Sequence, residues 1–100
     1  MGEPAAADLW LQGIAEGCDD PEIRNRVRTH MSEVHRVITE LFRSLQLAKA
    51  MPADRDPSAE AWIFLAGGLL RSVADRLGGV LTSADLIAIG RERRRWLTGD

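Results

Sequence analysis

The sequence predicts an all-α protein of four helices. Two segments open with an aspartate followed by a proline, in DDPEIRNRV at 19–27 and in RDPSAEAW at 55–62. Aspartate caps the free amides of a first helical turn, and proline suits the first helical position because it has no N–H to satisfy. A third helix start is TSAD at 82–85, where Thr82 and Asp85 can each accept a hydrogen bond from the other's backbone N–H in a capping box. No alternation of apolar and polar residues is long enough for a strand.

The first helix is expected from about residue 5 to residue 17. Ala6, Trp10 and Ile14 fall on one face of it, together with Gly13 and Gly17. A short helix with an internal glycine, which costs about 1 kcal/mol relative to alanine, is marginal alone. It must therefore be held by packing against the rest of the protein.

The second helix is expected from residue 21 to about residue 50. Its apolar residues alternate at spacings of four and three, in a heptad-like seam made of Val27, Met31, Val34, Ile38, Leu41, Leu45 and Ala48. Thirty residues span roughly 45 Å as a helix, whereas a compact chain of this size has a radius of gyration near 13 Å. The domain is therefore elongated, or this helix bends.

The third helix, expected over 57–77, contains AWIFLAGGLL at 61–70, a stretch of ten residues without a charge. The predicted inward stripe is Ala59, Trp62, Ala66, Leu69, Leu70, Val73 and Leu77. Ala61, Phe64, Gly67 and Gly68 are then on the far side, and this second apolar face needs a burial partner of its own. Gly78 and Gly79 are expected to end the helix in a left-handed conformation.

The fourth helix is expected over 83–97. One side of it carries Leu86, Ile89, Gly90, Arg93 and Leu97. Its end, RERRRW at 91–96, joins basic residues to an aromatic one. Cations also belong in the last turns of a helix, and the chain has a net charge of −2. A solvated helix end with interface salt bridges is therefore favoured over a nucleic-acid site.

Composition describes a single domain over 1–100, with 45% hydrophobic and 28% charged residues, as in ordinary globular proteins. A single cysteine, Cys18, excludes an internal disulfide and suggests the cytoplasm. The longest apolar run is about half of what crosses a bilayer, so no membrane partner is expected. Twelve arginines against one lysine suggest a GC-rich bacterial genome.

No set of titratable residues forms a catalytic or metal site, so neither an enzyme nor a cofactor is predicted. His30 and His35 are about 140° apart on one helix, too far round it to share a metal. His30 is expected beside the core as a satisfied polar residue, with a pocket position as the alternative, and His35 at the solvent edge. Cys18 has no base near it in sequence and is expected to be a structural thiol.

The order of these parts resembles the C-terminal half of a TetR-family transcriptional repressor. The resemblance lies in DDPEIRNRV before a long charged helix, in RDPSAEAWIFLAGGLL, and in the TS-capped break before the last helix. It covers residues 5 to 97. Two features depart from the family: Gly67 stands where many members have an acidic residue, and the helix-turn-helix of the DNA-binding part is absent.

The resemblance implies a homodimer in which the last two helices of each copy form a four-helix bundle across a twofold axis. The implied interface consists of Phe64, Gly68, Arg71, Asp75, Leu86, Ile89, Gly90 and Arg93. The family also implies a small apolar or amphipathic effector between the first three helices. The predicted effector pocket consists of Trp10, Ile14, His30, Val34, Trp62 and Leu69, which are equally compatible with an ordinary core.

The function predicted on these grounds is that of a ligand-sensing and dimerisation domain of a TetR-type regulator, without its helix-turn-helix. The chain alone is expected not to bind DNA. The alternative is a free-standing helical module that forms homodimers or heterodimers and has no small-molecule ligand.

Overall fold

The computed structural model describes residues 6–17 and 19–99, which form four helices and no strand. The helices are α1 (Ala6–Gly17), α2 (Pro21–Leu47), α3 (Pro57–Leu77) and α4 (Ser83–Thr98). The all-α prediction is thereby confirmed. The expected bounds of α3 are reproduced, those of α4 differ by one residue at its end, and the predicted first residue of α1 lies outside the described residues.

The helix starts follow from the predicted caps. The carboxylate of Asp20 accepts the backbone N–H of Glu22 at 2.9 Å, and that of Asp56 accepts the N–H of Ser58 at 3.0 Å. A proline follows each aspartate at the first helical position. In α4, Thr82 and Asp85 exchange hydrogen bonds in a complete capping box.

The end of α2 differs from the prediction, because the helix stops at Leu47 and not near residue 50. Lys49 takes a positive φ of 61°, which breaks the helical path. The N–H of Lys49 bonds to the carbonyl of Gln46, and that of Ala50 to the carbonyl of Leu45 at 2.8 Å. These two bonds satisfy carbonyls that the end of the helix leaves free.

The molecule is elongated, with extents of 43 × 31 × 24 Å and a radius of gyration of 15.4 Å. Helix α2 is about 40 Å long by its rise per residue, and α1 and α3 lie against it and against each other. Trp10 and Leu65 centre one core cluster, and Phe42, Met51 and Ala61 form a second. Ile38 of α2 packs against both clusters.

The predicted seam of α2 includes Leu45, which packs against the second core cluster, but it is interrupted directly after Ile38. Beyond it Phe42 is buried, whereas Leu41 is 54% exposed. A straight α-helix drifts by about 20° per seven-residue repeat, so a strict heptad pattern turns away from a neighbour that does not supercoil with it. The core then continues at the next residue along the chain.

The predicted orientation of α3 is wrong by about one residue, or roughly 100° of rotation. Ala61 is 0% exposed, and Leu65 and Ser72 are buried with it, whereas most of the predicted stripe faces solvent. The small side chains of Ala61 and Ser72 allow α3 to approach its neighbours closely. What remains uncovered is named here the outer α3 face, consisting of Ala59, Ile63, Ala66, Leu70, Val73 and Leu77.

Helix α4 does not pack closely along this three-helix body and meets it through side chains near its end. No Cα atom of its described residues lies within 8 Å of a Cα atom of another helix, and none of these residues is buried. Gly78 and Gly79, which precede it, have positive φ values of 73° and 74°, which favour glycine, but the ψ of 139° at Gly78 differs from that of the predicted left-handed cap. None of the helices described is long and apolar enough to cross a membrane.

Candidate functional site

A groove of about 390 Å³ lies where α1, α2 and α3 meet. It is named here the α1–α3 groove. Its residues are Ala6, Ala7, Asp8, Trp10, Val34, Ile38, Phe64, Leu65, Gly68, Arg71, Ser72 and Asp75. Its volume is within the range of small-molecule sites in proteins.

One wall of the groove is a single stripe of α3. Phe64, Gly68, Arg71 and Asp75 follow one another at helical spacings of four, three and four, and all four are exposed. The ring of Phe64 meets the ring of Phe42 edge to face, with centroids 6.3 Å apart. At Gly68, an added Cβ would have no atom within 4 Å, so the glycine keeps this wall open.

Trp10 lines the groove from α1. Its side chain is buried, and its indole N–H donates to Nδ1 of His30 at 2.8 Å. The two rings meet at 70°, with centroids 5.8 Å apart. The polar atom of the indole is therefore satisfied by α2, and the buried ring forms part of the apolar floor of the groove.

Charged groups lie on the rim of the groove. Asp8 of α1 faces Arg76 of α3, whose guanidinium donates to the Asp8 carbonyl at 3.1 Å. Arg71 and Asp75 lie one turn apart on the α3 wall. The groove thus combines apolar surface from Trp10 and its neighbours with a rim that carries both signs of charge.

The predicted effector residues do not enclose one cavity. Trp10 and Val34 line the α1–α3 groove, whereas Ile14 and Trp62 line a depression of about 350 Å³ near Val27 and Met31. His30 lines a third, shallow depression on the outer side of α2. Leu69 packs against the first core cluster.

The predicted interface residues divide in a similar way. Those on α3, Phe64, Gly68, Arg71 and Asp75, form the groove wall described above. On α4, Leu86 is half-buried, and Ile89 and Gly90 are exposed. Arg93 is bonded to Glu60 within the same chain.

Glu60 is the residue that the sequence reasoning missed most clearly. Its carboxylate is buried, with 5% of the residue exposed, and it accepts the indole N–H of Trp96 at 2.5 Å and the guanidinium of Arg93. The guanidinium of Arg55 lies over the Trp96 ring, 3.7 Å from its centroid. In the sequence, Glu60 reads only as an acid in a first helical turn, where negative charge is expected anyway.

His35 is half-buried and does not lie at the solvent edge as predicted. Its ring stacks on Trp62 at 3.8 Å between centroids and an angle of 14°. Its Nε2 lies 3.0 Å from the Ser58 carbonyl, so the pair joins α2 to the start of α3. Cys18 falls outside the described residues, and within them no three potential metal ligands gather at one point.

Comparison with known proteins identifies a family. The model of the C-terminal domain of BetI-type transcriptional repressors matches residues 1–92. No curated protein and no solved structure gives a match. The family is one of transcription regulators and not of enzymes.

Proposed function

The chain belongs to the family of C-terminal domains of BetI-type transcriptional repressors, and from this membership we propose that it senses a small molecule and forms a homodimer. The resemblance to the regulatory half of a TetR-type repressor is confirmed by the match. We place its action in the bacterial cytoplasm. The α1–α3 groove is the observation that carries the ligand-sensing part of the proposal.

The groove suits a small amphipathic molecule. An apolar body of the ligand would lie against Trp10, Val34 and Phe64, and a charged group would reach the rim at Arg71 or Asp75. Small-molecule sites usually combine an apolar lining with a few polar groups that fix orientation. Of the predicted pocket residues, this proposal keeps Trp10 and Val34 and adds the α3 wall.

A ligand in this groove would have a direct route to the second core cluster. Phe64 on the groove wall contacts Phe42, and Phe42 lies in the cluster against which Leu97 of α4 packs. A ligand acts as a regulator only if it binds two conformations with different affinity. Displacement of the Phe64 ring is the change that we propose the ligand induces or selects.

Fluorescence titration with 1-anilinonaphthalene-8-sulfonate, an aromatic anion, tests this site. Gly68→Leu would fill the groove, while Gly67→Leu is its matched control, because both glycines have open space around an added Cβ and Gly67 does not line the groove. We expect saturable binding to the unaltered chain and to Gly67→Leu, and loss of binding in Gly68→Leu. Equal binding by the two variants would refute the groove as the site.

Dimerisation is proposed through the outer α3 face and α4. Leu70 is 49% exposed, and Ile63, Val73 and Leu77 are exposed around it. Burial of one such side chain contributes about 1.5–3 kcal/mol, and soluble monomers rarely leave a continuous apolar patch uncovered. A twofold axis makes each contact occur twice. Two helices from each copy can bury the roughly 1,200 Å² that a stable interface needs.

On α4, this interface keeps the predicted residues Leu86, Ile89 and Gly90. On α3, the outer α3 face replaces the residues that the sequence predicts. The reason is position: Phe64 and Gly68 line the α1–α3 groove, whereas Leu70 and Leu77 are exposed and do not line it. Arg71 and Asp75 are charged, and charged residues are uncommon in the buried centre of an interface, so their place is at the rim of the groove.

A dimerisation module without a ligand is the second candidate. It is favoured by the packing of Trp10, whose N–H is already satisfied and whose ring lies among Val27, Met31 and Val34. If the probe does not bind saturably to the unaltered chain, this candidate replaces ligand sensing and leaves the dimer proposal intact.

A further inference from the structure

Glu60 is a buried carboxylate to which the ligand proposal gives no role. It sits in the first turn of α3, and both of its oxygens are occupied by donors from α4. One donor is the guanidinium of Arg93 and the other is the indole N–H of Trp96. A buried charge is tolerated only when such partners are in place, because desolvation otherwise penalises it heavily.

The remaining contacts of α4 with the body are at the same end of the helix. Leu97 packs against the cluster of Phe42, Met51 and Ala61. The Arg55 side chain covers the Trp96 ring and donates to the Trp96 carbonyl at 3.0 Å. The described contacts therefore hold α4 by its last two turns.

The first half of α4 lacks comparable support. Ile87 and Ile89 are exposed and Leu86 is half-buried, and among the described residues no hydrogen bond or ion pair joins this half to another helix. The connection to α3 passes through Gly78 and Gly79, which have a wider range of backbone conformations than other residues. The direction of α4 therefore depends on the contacts at its anchored end.

We propose that Glu60 is the positioning residue for α4. Hydrogen bonds from two donors at fixed places on α4 to one carboxylate define a direction, to which the bond from Arg55 to the Trp96 carbonyl adds, whereas the apolar contact of Leu97 does not. Glu60 therefore fixes the angle between α3 and α4. The consequence for pairing rests on the proposed homodimer: the same angle sets how the two helices are presented to a second copy.

Distance measurement between spin labels within one chain tests the positioning role. Labels are attached at Arg43→Cys on α2 and Ala88→Cys on α4, both exposed, with Cys18→Ser in the background. Dilution with unlabelled chain removes distances between copies. We expect one narrow distance distribution for the unaltered chain and a broad, shifted one for Glu60→Ala. Glu92→Gln is the matched control, because its exposed carboxylate pairs, among the described residues, with Arg95 of the same helix, and it should leave the distribution narrow.

A double-mutant cycle separates positioning from general loss of stability. Glu60→Gln keeps the shape of the side chain and an acceptor for Trp96 but removes the charge that Arg93 faces. Glu60→Gln and the double variant with Arg93→Gln should broaden the distribution to a similar extent, because neither keeps the charge pair, and Arg93→Gln alone should broaden it at least as much, because it leaves the buried carboxylate without its cation. Circular dichroism reports whether each variant keeps its helix content. If Glu60→Ala loses helix content, the label distances of Glu60→Gln decide whether Glu60 positions α4.

Dimer affinity provides the second readout. We expect the dissociation constant of the dimer to rise about tenfold or more in Glu60→Ala and to stay unchanged in Glu92→Gln. An unchanged label distance in folded Glu60 variants would overturn the positioning role. If the chain is monomeric, and its label distances are narrow in the unaltered chain but broad in the Glu60 variants, the positioning role is supported and the dimer proposal is overturned.

Discussion

The indole N–H of Trp10 donates to Nδ1 of His30 across a distance of 2.8 Å, and this bond joins α1 to α2 at the edge of the α1–α3 groove. Trp10 is 2% exposed, so its N–H has little access to water. The bond requires that Nδ1 carry no proton, which fixes the proton of the neutral ring on Nε2. Since α1 has only 12 residues and is marginal alone, the bond and the burial of Trp10 hold it in place.

Removal of the His30 acceptor should destabilise the protein. His30→Ala leaves the buried N–H of Trp10 without its partner, and such a loss costs about 1–3 kcal/mol. Urea unfolding measures the effect, with Thr29→Ala, an exposed neighbour on the same helix, as the control. Equal unfolding midpoints for the two variants would show that the bond contributes nothing.

Two glycine-to-alanine changes should act in opposite directions. At Gly17, an added Cβ would lie 2.9 Å from the Cβ of Ile23, which no rotation of that side chain can move away. At Gly67, nothing lies within 4 Å, and alanine is the better helix former by about 1 kcal/mol. We therefore expect Gly17→Ala to lower the unfolding free energy and Gly67→Ala to raise it. Stabilisation by both changes would mean that α1 does not approach α2 at Gly17.

The start of α4 should weaken in acid. Hydrogen bonds from the backbone N–H and the side chain of Thr82 lower the pKa of Asp85 from 3.8. The folded-state pKa is thus below the unfolded one, so the stabilisation is present above 3.8 and disappears as the pH falls through the folded-state value. Asp85→Asn should therefore be less stable than the unaltered chain at neutral pH. Urea midpoints recorded down to well below pH 3.8 should converge, and a constant difference across that range would contradict the cap.

The chain alone should not bind duplex DNA specifically. DNA affinity depends on neutralising phosphates with basic side chains, and this chain has a net charge of −2. A gel shift at moderate salt, with random and genomic fragments, is expected to show no retention. Sequence-dependent retention would contradict the expectation and point to the basic end of α4, where Arg91 and Arg94 are exposed.

The caps and most helix bounds could be predicted because they are local. An aspartate before a proline, or Thr82 three residues before Asp85, specifies its own hydrogen bonds regardless of the rest of the fold. The end of α2 could not, because it depends on the positive φ of Lys49, a residue type with no preference for that conformation.

The orientation of α3 could not be predicted because apolar residues surround much of the helix. Position by position, the stripe of Trp62, Leu70 and Val73 is larger and more apolar than that of Ala61, Leu65 and Ser72. The smaller side chains are buried because they let α3 approach the neighbouring helices closely. That close approach depends on how the helices pack together, and the sequence of α3 alone does not reveal it.

The groove was only partly predictable for a related reason. Trp10 and Val34 were expected in a pocket between the first three helices, and both line the α1–α3 groove. The sequence pattern places Phe64 and Gly68 against a partner copy because it turns the opposite face of α3 towards the core. Glu60 carried no signal, since its partners are more than thirty residues away along the chain.

Sedimentation velocity at tens of micromolar protein tests the homodimer most directly, with glutamate placed on either side of α3. We predict that the unaltered chain sediments as a dimer, that Leu70→Glu on the outer α3 face sediments as a monomer, and that Gly68→Glu on the groove wall remains a dimer. Both changes are at exposed positions, so neither should unfold the monomer. A monomeric unaltered chain would contradict the homodimer, and dissociation by Gly68→Glu alone would return the interface to the groove wall.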